Sequence, residues 1–275
     1  DIFYQAKAAE GLRERTLHDY KTHHRYFMSW LKEAHPEIEM IGDITPQILR
    51  EYVYFLTHDK PKWEGHPTLT EKSKTERGLS PHSVNIRLAT MKAFYRWLHN
   101  EGYIPSNPAA NIKKQPVEED KIGAFTDEQI EALLAQPDQR TYAGFRDYVL
   151  MRLLLETGLR INEALSLTAA DIDVKMRMIT LEGSRTKNRK TRIIPLSSDL
   201  IRLLMDLIAE NKTYFPDAEH IFLSNMGDPI SQSNITDRIK EYGVKAGIAD
   251  QVRVSPHTFR HTFALNFLMA GGDII

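Results

Sequence analysis

Cysteine is absent from the 275 residues, which excludes a disulfide framework, thiolate metal ligands and a cysteine nucleophile. An excess of charge of one sign is absent too. The chain carries 36 Lys and Arg against 37 Asp and Glu, a formal net charge of -1, so binding to nucleic acid through bulk positive charge is excluded and any anionic partner must be met locally. No apolar run approaches the roughly 20 residues that span a bilayer. The longest, Val149 to Leu155, is interrupted by Arg152. Asp1 to Glu10 has neither a basic start nor an apolar signal core, and the cytoplasm is the expected compartment.

What is present suffices for two globular domains: 41% of residues are hydrophobic and 27% charged, over a length that fits two units of roughly 100 to 200 residues each. Thr16, with Asp19 three residues on, predicts a helix to Lys32. Thr45-Pro46 and Ser80-Pro81 each place a capping hydroxyl before a proline at the first helical position. After Ser80, Val84, Leu88, Met91, Tyr95 and Leu98 recur at helical spacing. Asp59 to Leu79 reads as a long loop. Lys113-Lys114-Gln115-Pro116, followed by Val117-Glu118-Glu119-Asp120, reads as a linker. The expected domains are therefore a helical unit over 1–112, a linker over 113–123, and a second unit over 124–275.

In the second unit, helices are expected after Thr126, from about Phe145 to Glu156, and over Ser198–Asn211, Ser231–Ala246 and Pro256–Ala270. Met178–Leu181 and Arg192–Leu196 read as strands of a hairpin with a cationic tip. The fold class is mostly α with one small antiparallel sheet. Two windows carry local positive excess. Lys60 to Arg96 holds Lys72, Lys74, Arg77, Arg87 and Lys92, and Met176 to Arg192 holds Arg185, Arg189 and Lys190. All eight are candidates for meeting an anionic partner locally.

Arg160 lies just past a helix end, after Thr157-Gly158-Leu159, and His257 and Arg260 are three apart near a helix start. Lys187 is on the hairpin tip between these segments. Two arginines, a lysine and a histidine converging on one point would form a phosphodiester site, because guanidinium forks match phosphate oxygens and histidine titrates near neutrality. Arg185, Arg189 and Lys190 compete with Lys187 for its place. His257 and His261, four apart, lack the glutamate and third ligand of a zinc helix, so no metal is expected.

The ordered set Thr157-Gly158-Leu159-Arg160 with Glu163, then Thr186-Lys187 through Leu196, then His257-Thr258-Phe259-Arg260-His261-Thr262 resembles the tyrosine recombinases, the phage integrase family of site-specific DNA recombinases. The resemblance implies a helical core-binding (SAM-like) domain that clasps double-stranded DNA opposite an α+β catalytic domain. It also implies cleavage and rejoining through a 3'-phosphotyrosine without cofactor, and a tetramer on two duplexes. It assigns Arg160 and Arg260 to the scissile phosphate, Lys187 to protonation of the leaving 5' oxygen, His257 to proton transfer at the nucleophile, and Glu163 and His261 to support.

The family's Gly-His motif and nucleophilic tyrosine are missing after Arg260; Tyr214 and Tyr242 precede His257 in dissimilar sequence. A truncated chain that binds DNA without cutting it is the expectation. A non-catalytic DNA-binding regulator of the same fold and a type IB topoisomerase are the alternatives.

Overall fold

The computed structural model describes residues 1–62, 76–117, 123–186 and 189–272; Lys72, Lys74 and Lys187 lie outside the described residues. The chain divides into two compact units, Asp1–Glu119 and Asp120–Ile275, and each has its own hydrophobic core.

Helices α1 (Ile2–Ala9), α2 (Glu14–Ala34), α3 (Pro46–His58) and α4 (Pro81–Asn100) are the helices of the first unit among the described residues. Local chemistry sets their starts. The Thr45 and Ser80 hydroxyls accept the N–H groups of Ile48 and Ser83, each at 3.3 Å, and thereby satisfy donors that a helix start leaves unpaired. One face of α4, with Val84, Leu88, Met91, Tyr95 and Leu98, packs in the same core as Phe27 and Leu31 of α2 and Leu49, Tyr52 and Leu56 of α3.

Two local expectations change. Helix α2 begins before Thr16, at Glu14, after an extended Arg13, with the acid at the positive end of the helix dipole. Helix α1, too short to announce itself by periodicity, is held by Phe3, which stacks on Tyr20 at 5.9 Å and meets Phe94 and Trp97 edge-on at 5.1 and 5.4 Å. The start of the expected linker is fastened to α4. Asn85 donates to the Gln115 carbonyl at 2.9 Å, and the Gln115 N–H donates back to Asn85 Oδ1 at 2.8 Å.

The second unit runs α5 (Asp127–Leu134), α6 (Tyr142–Thr157), α7 (Ile161–Leu165), β1 (Ile172–Asp173), β2 (Met178–Leu181), β3 (Arg192–Pro195), α8 (Ser198–Tyr214), α9 (Gln232–Lys245) and α10 (Pro256–Met269). Helix α6 is central. Val149, Leu150, Met151, Leu153 and Leu154 are fully buried, and the helix packs against both α8 and α10. The strands form one antiparallel sheet in the order β1-β2-β3. Ile179 pairs with Ile194 and Leu181 with Arg192. Strand residues alternate faces, so Arg192 shares the inward face with the buried Leu181. Among the described residues no helix is long and apolar enough to cross a membrane.

Candidate active site

Helix α6 ends at Gly158, whose φ of 59° is the left-handed conformation glycine adopts without strain. Space there is restricted as well: a Cβ on Gly158 would come within 2.3 Å of the Phe263 ring on α10. The turn brings the two helices together, and Arg260 of α10 donates a hydrogen bond from Nη1 to the Gly158 carbonyl. Two residues later Arg160 serves as N-cap of α7. Residues distant in sequence thus meet at one turn.

Glu163 organises them. It is 3% exposed, its Oε2 accepts the Arg160 backbone N–H at 3.0 Å, and its Oε1 accepts Arg160 Nη1 at 3.0 Å. This is a capping box with an ionic second contact. A third group, not anticipated from sequence, completes the arrangement: Arg192 Nη2 lies 2.6 Å from Glu163 Oε2. Burial alone would raise the Glu163 pKa, but the Arg160 N–H and the two guanidinium groups outweigh it and hold the carboxyl below its usual range. Burial, then the like charge of Arg160, lowers the Arg260 pKa, with Arg192 adding to the fall and Glu163 opposing it. Arginine remains a cation at neutral pH even so. Arg160, Arg192 and Arg260 are therefore electrostatic neighbours around one buried carboxylate. The signal that could have found Arg192 is its inward-facing place in the strand alternation, where an arginine needs a buried anion.

His257, exposed on the first turn of α10, lines a cleft of about 370 Å³ together with Ile161, the residue after Arg160, and with Lys240, Arg253 and Pro256. His261 is half-buried one residue beyond Arg260. Among the described residues no three His, Asp or Glu side chains gather as a metal-binding set. Tyr242 is committed elsewhere: its hydroxyl donates to Asp147 at 2.8 Å and accepts from Arg238 at 2.9 Å. Burial and the Asp147 charge push its pKa up to about 12.

The basic residues of the two windows separate by what they touch. Arg185 is seated on Asp171, with Nη1 2.8 Å from Oδ2 and Nη2 bonded to Oδ1, and Nη1 also reaches the Ser166 carbonyl at 2.9 Å. Its guanidinium holds the base of the hairpin. Arg87 lies over the Tyr26 ring at 4.6 Å with Nη1 buried, a place inside the helical unit. Arg77 is exposed and donates to the Asp59 carbonyl at 3.1 Å. Lys92 is half-buried, and Arg189 and Lys190 are exposed at the hairpin.

A sequence profile of the phage integrase family matches residues 124–275. The tyrosine recombinase XerC of Chlamydia trachomatis serovar L2 is 32% identical over 197 residues, 71% of this chain and 61% of that protein. The tyrosine recombinase XerD of Xanthomonas axonopodis pv. citri is 32% identical over 210 residues, 73% of this chain and 68% of that protein. The alignment thus spans about three-fifths of the length of the XerC relative. In structure, the Tn1549 transposon integrase in complex with a circular intermediate DNA gives a TM-score of 0.71 at 20% identity, covering 98% of this chain and 87% of that one. A lambda integrase dimer bound to a COC' core site gives 0.68 at 16% identity, covering 99% and 89%. Both share the fold described above.

Proposed function

Because the chain belongs to the phage integrase family, we propose that it is the DNA-handling part of a site-specific recombinase, a tyrosine-type strand transferase acting on double-stranded DNA in the cytoplasm. The observation that carries this reading is the meeting of Arg160 and Arg260 beside Glu163. In the proposed reaction the two guanidinium groups hold the non-bridging oxygens of the scissile phosphate. They stabilise the charge added when a tyrosine attacks and the phosphorus becomes five-coordinate. Glu163 keeps Arg160 aimed. His257 assists proton transfer at the nucleophile, His261 supports the helix from behind, and Lys187 protonates the departing 5' oxygen. Transesterification keeps the bond energy in a 3'-phosphotyrosine, so rejoining to another strand needs no nucleotide cofactor.

Lys72, Lys74, Arg77, Lys92, Arg189 and Lys190 are the proposed phosphate contacts that position the duplex. Arg87 and Arg185, already engaged within their units, support those surfaces. A tetramer on two duplexes is the proposed assembly.

The alternative reading is a regulator of the same fold that binds DNA without cutting it. A nicked suicide duplex incubated with the full-length protein decides between them. The recombinase reading expects a covalent protein–DNA adduct, lowered about a thousandfold by Arg160→Ala with DNA affinity kept within a few-fold. Binding with no adduct from the full-length wild type selects the regulator. Equal adduct from wild type and Arg160→Ala removes Arg160 from the chemistry.

A further inference from the structure

Two arginines flank the hairpin, and they meet their carboxylates differently. Arg185 is a seated fork: two guanidinium nitrogens on the two oxygens of Asp171, with a backbone carbonyl as third acceptor. Both Nη nitrogens are engaged and its charge is matched by the one carboxylate it grips. Arg192 is not seated. Its Nη2 sits 2.6 Å from Glu163 Oε2 yet is buried without an aligned hydrogen bond, and the carboxylate it approaches is already satisfied by the backbone and side chain of Arg160.

Charge counting sharpens the difference. Around Glu163 stand Arg160, Arg192 and Arg260, three cations on one anion, so the cluster carries an excess of two positive charges. The side chains of Arg160 and Arg192 are 38% and 34% exposed, so both open outward from the buried carboxylate. Like charges held together in a partly buried site repel unless an anion completes the set. Of the carboxylates that gather arginines, Asp171 meets one and Asp147 two, and Glu163 has three around it. An excess of two matches an anion that gains negative charge as it reacts.

We propose that Arg192 is a third phosphate-holding guanidinium of this site, placed there by the inward alternation of β3 and standing with Arg160 and Arg260. For its natural ligand, a DNA phosphodiester, the assignment rests on the recombinase reading; for an anion as such it does not.

The test uses inorganic orthovanadate, a phosphate-like oxyanion that needs neither DNA nor a nucleophile, titrated into the purified 275-residue chain by calorimetry. Wild type is expected to bind. Arg192→Gln, which removes the charge at similar length, is expected to weaken binding about tenfold or more, the loss of one charge-assisted contact. Arg192→Lys is expected to recover part of the loss by restoring charge without the fork. Arg202→Gln, which removes an exposed arginine of α8 paired with Asp199, controls for general charge and is expected to change nothing.

Equal binding by wild type and Arg192→Gln, no binding by wild type, or equal weakening by Arg202→Gln overturns the proposal. If Arg192→Gln loses its cooperative thermal transition, Arg192→Lys decides alone: a few-fold loss supports a fork-dependent oxyanion contact and unchanged affinity overturns it. Failure of the full-length protein to form a DNA adduct would sink the recombinase reading while leaving a vanadate loss in Arg192→Gln standing.

Discussion

Two buried carboxylates in the second unit each gather arginines, and to opposite ends. Asp147, fully buried on α6, accepts from Arg146 Nε at 2.9 Å and Nη2 at 2.7 Å, from Arg238 Nε at 2.5 Å and from the Tyr242 hydroxyl. Arg146 is only 2% exposed and spends its remaining fork on the Leu223 carbonyl at 2.7 Å. That cluster is closed around Arg146, while the Arg238 side chain is 33% exposed, and it ties α6 to α9 and to the segment around Leu223. Glu163 is nearly as buried, yet its two ion-paired arginines open outward and a third stands beside them. Two arginines on Asp147 knit a core, one of them anchored on a backbone carbonyl, whereas three around Glu163 leave an excess of two positive charges at the end of α6.

The largest effect expected from breaking this comparison is at the closed cluster. Asp147→Ala leaves the buried Arg146 guanidinium without its anion, a loss of about 3–5 kcal/mol. That is a large part of the roughly 5–15 kcal/mol that holds a domain together. Urea denaturation followed by far-ultraviolet dichroism is expected to lose most or all of the second unit's cooperative transition. A cost under about 1 kcal/mol would mean that the cluster is hydrated and is not the structural counterpart of the Glu163 site.

A smaller effect is expected at Glu163, where the arginines can recover water. Glu163→Gln is expected to cost about 1–3 kcal/mol at pH 7, and the cost depends on pH. The folded carboxyl has a pKa below its usual value, so its stabilisation is fully present above the unfolded pKa of about 4.3. It is lost as pH falls through the lower folded pKa, because the unfolded chain then takes up the proton first. Urea midpoints between pH 7 and pH 3 are expected to fall more steeply for wild type than for Glu163→Gln. Parallel curves would show that Glu163 is not held ionised by its arginines.

The same contrast explains which parts of the molecule were legible in the sequence. Local signals were readable: Thr45-Pro46, Ser80-Pro81, the helix start at Thr126, and the strand-like run Met178–Leu181 all correspond to elements in the fold. Arg160, Glu163, His257 and Arg260 were readable because the ordered motif resembles a known family, with no local rule to place Arg160 beside Arg260, 100 positions further along the chain. What stayed hidden depends on partners remote in sequence. Arg87 and Arg185 counted as positive charge in their windows, but charge counting does not reveal that a tyrosine ring or Asp171 already engages the guanidinium. Arg192 was read as the first residue of a strand and the end of a basic window, because Glu163 precedes it in sequence by all of β1 and β2. Helix α1 depends on aromatic packing by Phe3 that no eight-residue pattern encodes.

The smallest change separates the two carboxylate clusters most cleanly. Tyr242→Phe removes one of the Asp147 donors while Arg146 and Arg238 stay in place, so neither the carboxylate nor a guanidinium is orphaned and the expected cost is about 1 kcal/mol. The phenol it removes is a poor nucleophile where it stands, with its hydroxyl donating to Asp147 and its pKa raised to about 12. Adduct formation by the full-length protein on the nicked duplex is therefore expected to be unchanged by Tyr242→Phe, even as the thermal midpoint drops by a few degrees. Loss of the adduct in a folded Tyr242→Phe protein would make Tyr242 the attacking group. The closed cluster would then belong to the reaction and not to the core.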